Sequence, residues 1–342
     1  MLNGAVTNEP IGATGPQPAC APLNRNSAGG ETPYREVFYP IGFGVEILTN
    51  DREVLDAAAE IWGGLRGRAS APAVQLRIVI SETSSMECPP APRYGAERHL
   101  ITFVADSENY ATCDLNAGFC FASISRNALR ERLYFRYHFL ESLAMVLLSG
   151  GPAPALHAAC VTRYERGMLF HGMSGAGKSS LAYACARAGF VYTSDDASYL
   201  LSDAGHARVA GFSHKMRFRP NCRELFPELG DYEITPRSNG KPSIEIPTAD
   251  LRGIITAQEA RIHYLILLKR EAHAKAMLVP LPIDEALERL HGGLFPVEEV
   301  RCRHIAALDQ LQSVEAFEFH YSNLSEAVAC LDALALSTGQ IP

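Results

Sequence analysis

Val74, Leu76, Ile78 and Ile80 recur at every second position, the period of a strand with one buried face. Similar alternation returns over 99–104 and 118–124, and the stretch 38–48 reads as one further strand. Between them Val54, Leu55, Ala58 and Ile61 follow helical spacing behind Asn50 or Asp51, either of which can cap the first turn, and Gly63 closes the segment. After Asn127 the period lengthens again. Leu129, Leu133, Leu140, Leu143 and Leu147, with Arg and Glu between them, predict one long amphipathic helix that stops at Gly150-Gly151-Pro152. That helix is expected to bridge two domains, with the boundary near residue 152.

The second half changes element more quickly. Strands are predicted over 156–164 and 168–171, joined by a turn at Glu165-Arg166-Gly167. A helix over 178–188 ends at Gly189, and the strand 190–193 ends at Ser194-Asp195-Asp196. The run 262–268 is almost continuously apolar, as in a strand covered on both faces. A helix over 284–291 closed by Gly292-Gly293, a strand over 317–321 and a last helix opened by Asn323 and Glu326 complete the order. The pattern predicts an α/β domain over 153–342, preceded by a smaller strand-rich α+β domain over 34–152. Residues 1–33, rich in Pro, Gly, Ala and Asn with few bulky apolar side chains, read as a disordered leader.

The chemistry concentrates where the strand 168–171 meets the helix beginning at 178. Gly172, Met173, Ser174, Gly175, Ala176, Gly177, Lys178 and Ser179 fit the pattern G-x-x-x-x-G-K-[ST], with Ser180 following. Glycines there let successive backbone amides converge on phosphate oxygens, the lysine adds a compact charge, and the hydroxyl of Ser179 is placed to ligate magnesium. A fortuitous glycine-rich turn is the bland alternative, but the flanking strand and helix supply the context that the pattern requires. The expected ligands are therefore ATP and Mg2+. Asp195 and Asp196 follow at the carboxyl end of the next strand, where side chains of open parallel sheets face ligands. One would be linked to magnesium and the other would act as a base; a solvated turn is the alternative. His157, one strand upstream of the loop, lies between apolar residues, where a lone histidine is more often a hydrogen-bonded core group than a catalytic one. Lys215-Met216-Arg217-Phe218-Arg219 places three cations on one face of a strand, toward a phosphate or an acidic acceptor, or simply toward solvent.

Composition narrows the partners. The 342 residues are 47% apolar and 20% charged, within the range of folded globular chains, and the formal net charge is -7. That sign argues against a general grip on nucleic acid or an anionic membrane. Nine cysteines without a Cys-x-x-Cys pair suggest neither a disulfide framework nor a zinc site. With no bilayer-length apolar run and no secretory head, the expectation is a soluble cytoplasmic protein.

Three collinear segments carry a family resemblance: Leu156-His157-Ala158-Ala159-Cys160, the loop from Gly172 to Ser179, and Gly189-Phe190-Val191-Tyr192-Thr193-Ser194-Asp195-Asp196. Together they resemble the catalytic domain of bacterial HPr kinase/phosphorylase and its relatives. The resemblance implies a P-loop domain related to phosphoenolpyruvate carboxykinase and transfer of phosphate from ATP to a serine hydroxyl. It places His157, Lys178, Ser179 and Asp196 as active-site histidine, loop lysine, magnesium-binding hydroxyl and aspartate base, leaving Asp195 as the metal-linked carboxylate. It also implies a protein, peptide or small-molecule hydroxyl acceptor and admits a homo-oligomer. The N-terminal half does not read like the family's regulatory domain, so HPr itself need not be the acceptor. Two further readings stay open: a module that senses ATP without transferring phosphate, and a P-loop ATPase.

Overall fold

The structure, a computed structural model, describes residues 32–68, 72–83, 86–201, 206–236, 240–295 and 297–337. Most of the expected leader, 1–31, lies outside the described residues.

The first layer is a sheet of seven strands: β1 (Tyr34–Phe38), β2 (Gly44–Thr49), β3 (Pro72–Ser81), β4 (Arg93–Glu97), β5 (Leu100–Val104), β6 (Tyr110–Asp114) and β7 (Phe119–Ser125). Their order across the sheet is β1-β2-β3-β7-β6-β5-β4. The stretch 38–48 is thus not one strand. Gly42, at φ +84, turns the chain so that β1 and β2 pair antiparallel. The alternation in β3 does what the pattern predicts, burying Val74, Leu76, Ile78 and Ile80 while their neighbours remain partly exposed. Helix α1 (Arg52–Trp62) covers the β1-β2 end of that apolar face, its first turn capped by Asp51, which accepts from Glu53 N.

The long predicted helix is broken. Ser125 caps α2 (Arg126–Arg130), Glu131 leaves helical geometry at ψ 75, α3 (Arg132–Phe135) follows, a π turn spans Arg136–Leu140, and α4 (Glu141–Gly150) completes the segment. The break shifts the apolar stripe, which is why Leu133 is 47% exposed although it lies on the predicted face. α4 packs on β3, β6 and β7. The core beneath it continues past residue 152 and takes in Ala197, Tyr199, Leu201, Ala210, Val297 and Val300 from the second half.

That second half holds β8 (Ala155–Leu156), β9 (Ala158–Arg163), β10 (Arg166–His171), α5 (Lys178–Arg187), β11 (Val191–Ser194), β12 (Ser198–Leu200) and β13 (Arg208–Gly211). A three-stranded sheet of β14 (Lys215–Phe218), β15 (Ile234–Pro236) and β16 (Pro242–Pro247) follows, with β16 in the middle. The chain then forms β17 (Ile255–Thr256), β18 (Glu259–Arg270), β19 (Met277–Leu281), α6 (Ile283–Leu290), α7 (Glu298–Leu308), β20 (Glu315–Tyr321) and α8 (Leu324–Leu336). β10 and β20 flank β18, both parallel to it, and β9 lies antiparallel between β10 and β11. As its sequence predicts, β18 is covered on both faces. Ile262, Leu265 and Leu267 face a cluster with α6 and α7, whereas Tyr264, Ile266 and Leu268 face one with α5 and α8. The turn between β9 and β10 is Tyr164-Glu165, one residue earlier than predicted, and both residues are left-handed at φ +47 and +65. A two-residue hairpin needs that geometry even without glycine. No helix among the described residues is long and apolar enough to cross a membrane.

Candidate functional site

The directions of three strands bring the predicted residues to one edge. β9 runs opposite to both β10 and β11, with His171 opposite Ala158 and Ser194 opposite Cys160. The start of β9, after His157, therefore lies beside the ends of β10 and β11, from which the glycine loop and Asp195-Asp196 emerge.

Within the loop Gly175 and Gly177 adopt φ +92 and +95, a conformation that side chains resist. Gly177 is constrained twice, because an added Cβ would lie 2.5 Å from the hydroxyl of Tyr321. That hydroxyl donates to Ala176 O at 2.8 Å and fastens the loop to β20. α5 begins at Lys178, so the first amides of the helix face the loop without intrahelical acceptors. The Lys178 ammonium folds back to donate to Gly172 O at 2.7 Å and Met173 O at 3.3 Å. Burial lowers its pKa, a neighbouring Asp196 charge opposes that fall, and Arg219 adds to it.

Asp196 and His157 form the facing wall. The Nδ1 of His157 lies 3.1 Å from Asp196 O and 3.5 Å from Asp196 Oδ1. Because a carbonyl only accepts, Nδ1 carries the proton in that contact and Nε2 keeps a lone pair. Burial, then the charge of Lys178, hold the His157 pKa below the usual histidine value and favour the neutral ring. Ser179 Oγ, at the first turn of α5, donates weakly to Asp195 O at 3.4 Å. Ser174 accepts from Arg219 at 2.7 Å.

Asp195, expected as a metal ligand, has its oxygens engaged elsewhere. Oδ1 accepts from Tyr192 OH at 3.1 Å and Oδ2 from Arg217 N at 2.7 Å, so this carboxylate ties β14 to the end of β11. A buried acceptor released from such bonds loses more than a surface one, which makes a structural duty the better fit to Asp195. Magnesium asks little of a protein, commonly one or two oxygens beside phosphates and water. Ser179 and Asp196 suit that requirement.

The three cations of 215–219 divide between two places, and the solvated strand face is not what the structure contains. Arg219 reaches the loop. Lys215 instead donates to Glu141 Oε1 at 2.9 Å, and Arg217 binds Glu245 Oε2 at 2.5 Å and Glu141 Oε2 at 3.0 Å. Arg136 joins both glutamates, binding Glu141 Oε1 at 2.6 Å. These cations hold the carboxyl of Glu245 down to about 2 and that of Glu141 lower still, against the burial that would raise them. Sequence reading had no means of pairing residues 74 to 109 positions apart.

His171 was also missed, although its place directly before Gly172 at a strand end was a usable signal. Burial and then Lys178 lower its pKa to about 4, and its Nδ1 is buried without a hydrogen-bond partner among the described residues.

No protein-family model and no curated protein matches the chain. Among solved structures, the HPr(Ser) kinase/phosphatase from Coxiella burnetii is similar over 53% of this chain and 92% of its own, at 12% identity and a TM-score of 0.32. A likeness that slight has no bearing on activity.

Proposed function

We propose that the chain is an ATP-dependent kinase that moves the γ-phosphate to a serine-type hydroxyl of a protein, peptide or small molecule, with HPr-kinase-like chemistry. The convergence of the Lys178 loop, Asp196 and His157 on one sheet edge is the observation that supports this reading most. Asp196 accepts the proton of the acceptor hydroxyl as that oxygen forms its bond to the γ-phosphorus. The bond from the γ-phosphorus to the bridging oxygen breaks and ADP leaves with the electron pair. Lys178, the loop amides and Arg219 oppose the negative charge carried by the phosphoryl oxygens. His157 holds the Asp196 segment in place through its backbone carbonyl. Bound magnesium, held by Ser179 and Asp196, would supply further charge neutralisation.

Incubation with γ-labelled ATP and a panel of serine peptides and small alcohols tests the reading. Label is expected on an acceptor, and Asp196→Asn should remove it while ATP still binds. Label only in free phosphate would indicate an ATPase, and ATP binding without any turnover would indicate a sensor; either result overturns the kinase.

A further inference from the structure

At the opposite end of β10 and β18 the structure holds a second cationic site. Arg166 opens β10, Arg261 and His263 lie near the start of β18, and His206, Ser313 and Glu315 complete the wall of a cavity of about 120 Å³. That space admits a phosphate group. β10 spans Arg166–His171, so this cavity and the glycine loop are separated by the length of one strand, about 17 Å.

The charge is arranged to receive an anion. Arg208, across the sheet from Arg261, is bound by Glu259, whereas the Arg261 guanidinium has no carboxylate partner among the described residues. Arg166 donates one N–H to Tyr264 OH at 3.0 Å and has four more to offer. His263 Nδ1 accepts from Gly167 N at 3.2 Å, which leaves the ring proton on Nε2 as a donor. Glu315 is the opposing carboxylate, outnumbered by the two guanidiniums. The left-handed Tyr164-Glu165 turn directly precedes Arg166 and fixes where its strand begins.

We propose that this cavity is a second, non-catalytic site for a phosphate group, free or carried on a small metabolite, gripped by Arg166 and Arg261 with His263. Burial and then the charges of Arg261, Arg166 and His206 hold the His263 pKa below the usual histidine value. A bound anion offsets that repulsion.

Calorimetry of the nucleotide-free full chain with inorganic phosphate, and separately with glycerol phosphate, tests the site. A Lys178→Ala background removes the contribution of the glycine loop. Binding of either probe is expected to survive in that background and to weaken about tenfold on Arg261→Ala, with Arg261→Lys recovering part of it. Glu315→Gln should strengthen it. The tighter of the two probes identifies the source of the phosphate. Binding lost with Lys178→Ala, indifferent to Arg261→Ala, or absent for both probes would overturn the proposal. None of these results depends on the kinase activity.

Discussion

Lys178 and Lys215 are buried to the same extent, each 6% exposed, and burial depresses the pKa of both, that of Lys215 to about 8. Their partners differ. Lys215 lies between Glu141 and Glu245, with Arg136 and Arg217 completing a closed set of ion pairs between the π turn, α4, β14 and β16. Lys178 donates to two neutral carbonyls, and Asp196 acts on it only from a distance. A buried cation fully paired with carboxylates is a structural tie. One held by carbonyls of a glycine loop is left without a bonded carboxylate, which fits the proposed role of meeting an incoming anion.

The comparison can be broken at several points. The largest effect is expected at Asp196: Asp196→Asn should lower phosphoryl transfer by about 10²- to 10⁴-fold while magnesium-free ATP affinity stays within a few-fold, as read by single-turnover kinetics beside calorimetry. Nearly as large, but on stability instead of rate, is Glu141→Ala. It strips Lys215, Arg217 and Arg136 of a shared partner and should cost about 3–5 kcal/mol in urea unfolding. Lys178→Ala should leave that midpoint almost unchanged, and a similar loss from both variants would erase the distinction between the two lysines.

Acid should act on the tie more than on the loop. Glu141 and Glu245 have depressed folded pKa values, so their contribution is complete above the usual carboxylate value and is lost as pH falls through the folded ones. His171 and His214 are each lowered to about 4, mainly by burial. The unfolded chain binds protons at these histidines below about pH 6.5 while the folded chain resists until about 4, so they too destabilise the fold on acidification. Thermal melts should show a falling midpoint from pH 7 through 5, steepest below 5 where the carboxylates join. A flat profile would contradict the shifts. A smaller effect is expected of Gly177→Ala. Its positive φ and the nearby Tyr321 hydroxyl predict a loss of about 1–2 kcal/mol, with weaker ATP binding; Gly175→Ala has open space around it and carries only the backbone penalty.

Much of the loop end was legible in the sequence because its determinants are local. Glycine spacing, the apolar strand before it and the helix after it lie within about twenty residues, and Asp195-Asp196 follow one strand later. Their division of labour was not legible. Arg217 N, which engages Asp195 beside the local Tyr192 hydroxyl, becomes its neighbour only when β14 docks. The 126–150 helix illustrates the same limit: leucine spacing reported helix correctly, but nothing in it marked the break at Glu131 or the π turn at Arg136–Leu140. β18 was readable because cover on both faces writes itself as an apolar run. The Arg136, Glu141, Lys215, Arg217 and Glu245 cluster was unreadable because its members come from three distant segments. The core also joins helices before residue 152 to Tyr199 and Val300, contacts that no sequence pattern marks.

The central claim is that the loop around Lys178 receives a polyphosphate. Titration calorimetry of folded wild-type chain and of Lys178→Ala with Mg-ATP measures this directly. Saturable binding by the wild type, weakened at least about tenfold in the variant while its thermal midpoint is unchanged, is the predicted result. No heat of binding from well-folded wild-type chain, or equal affinity in both, would contradict it.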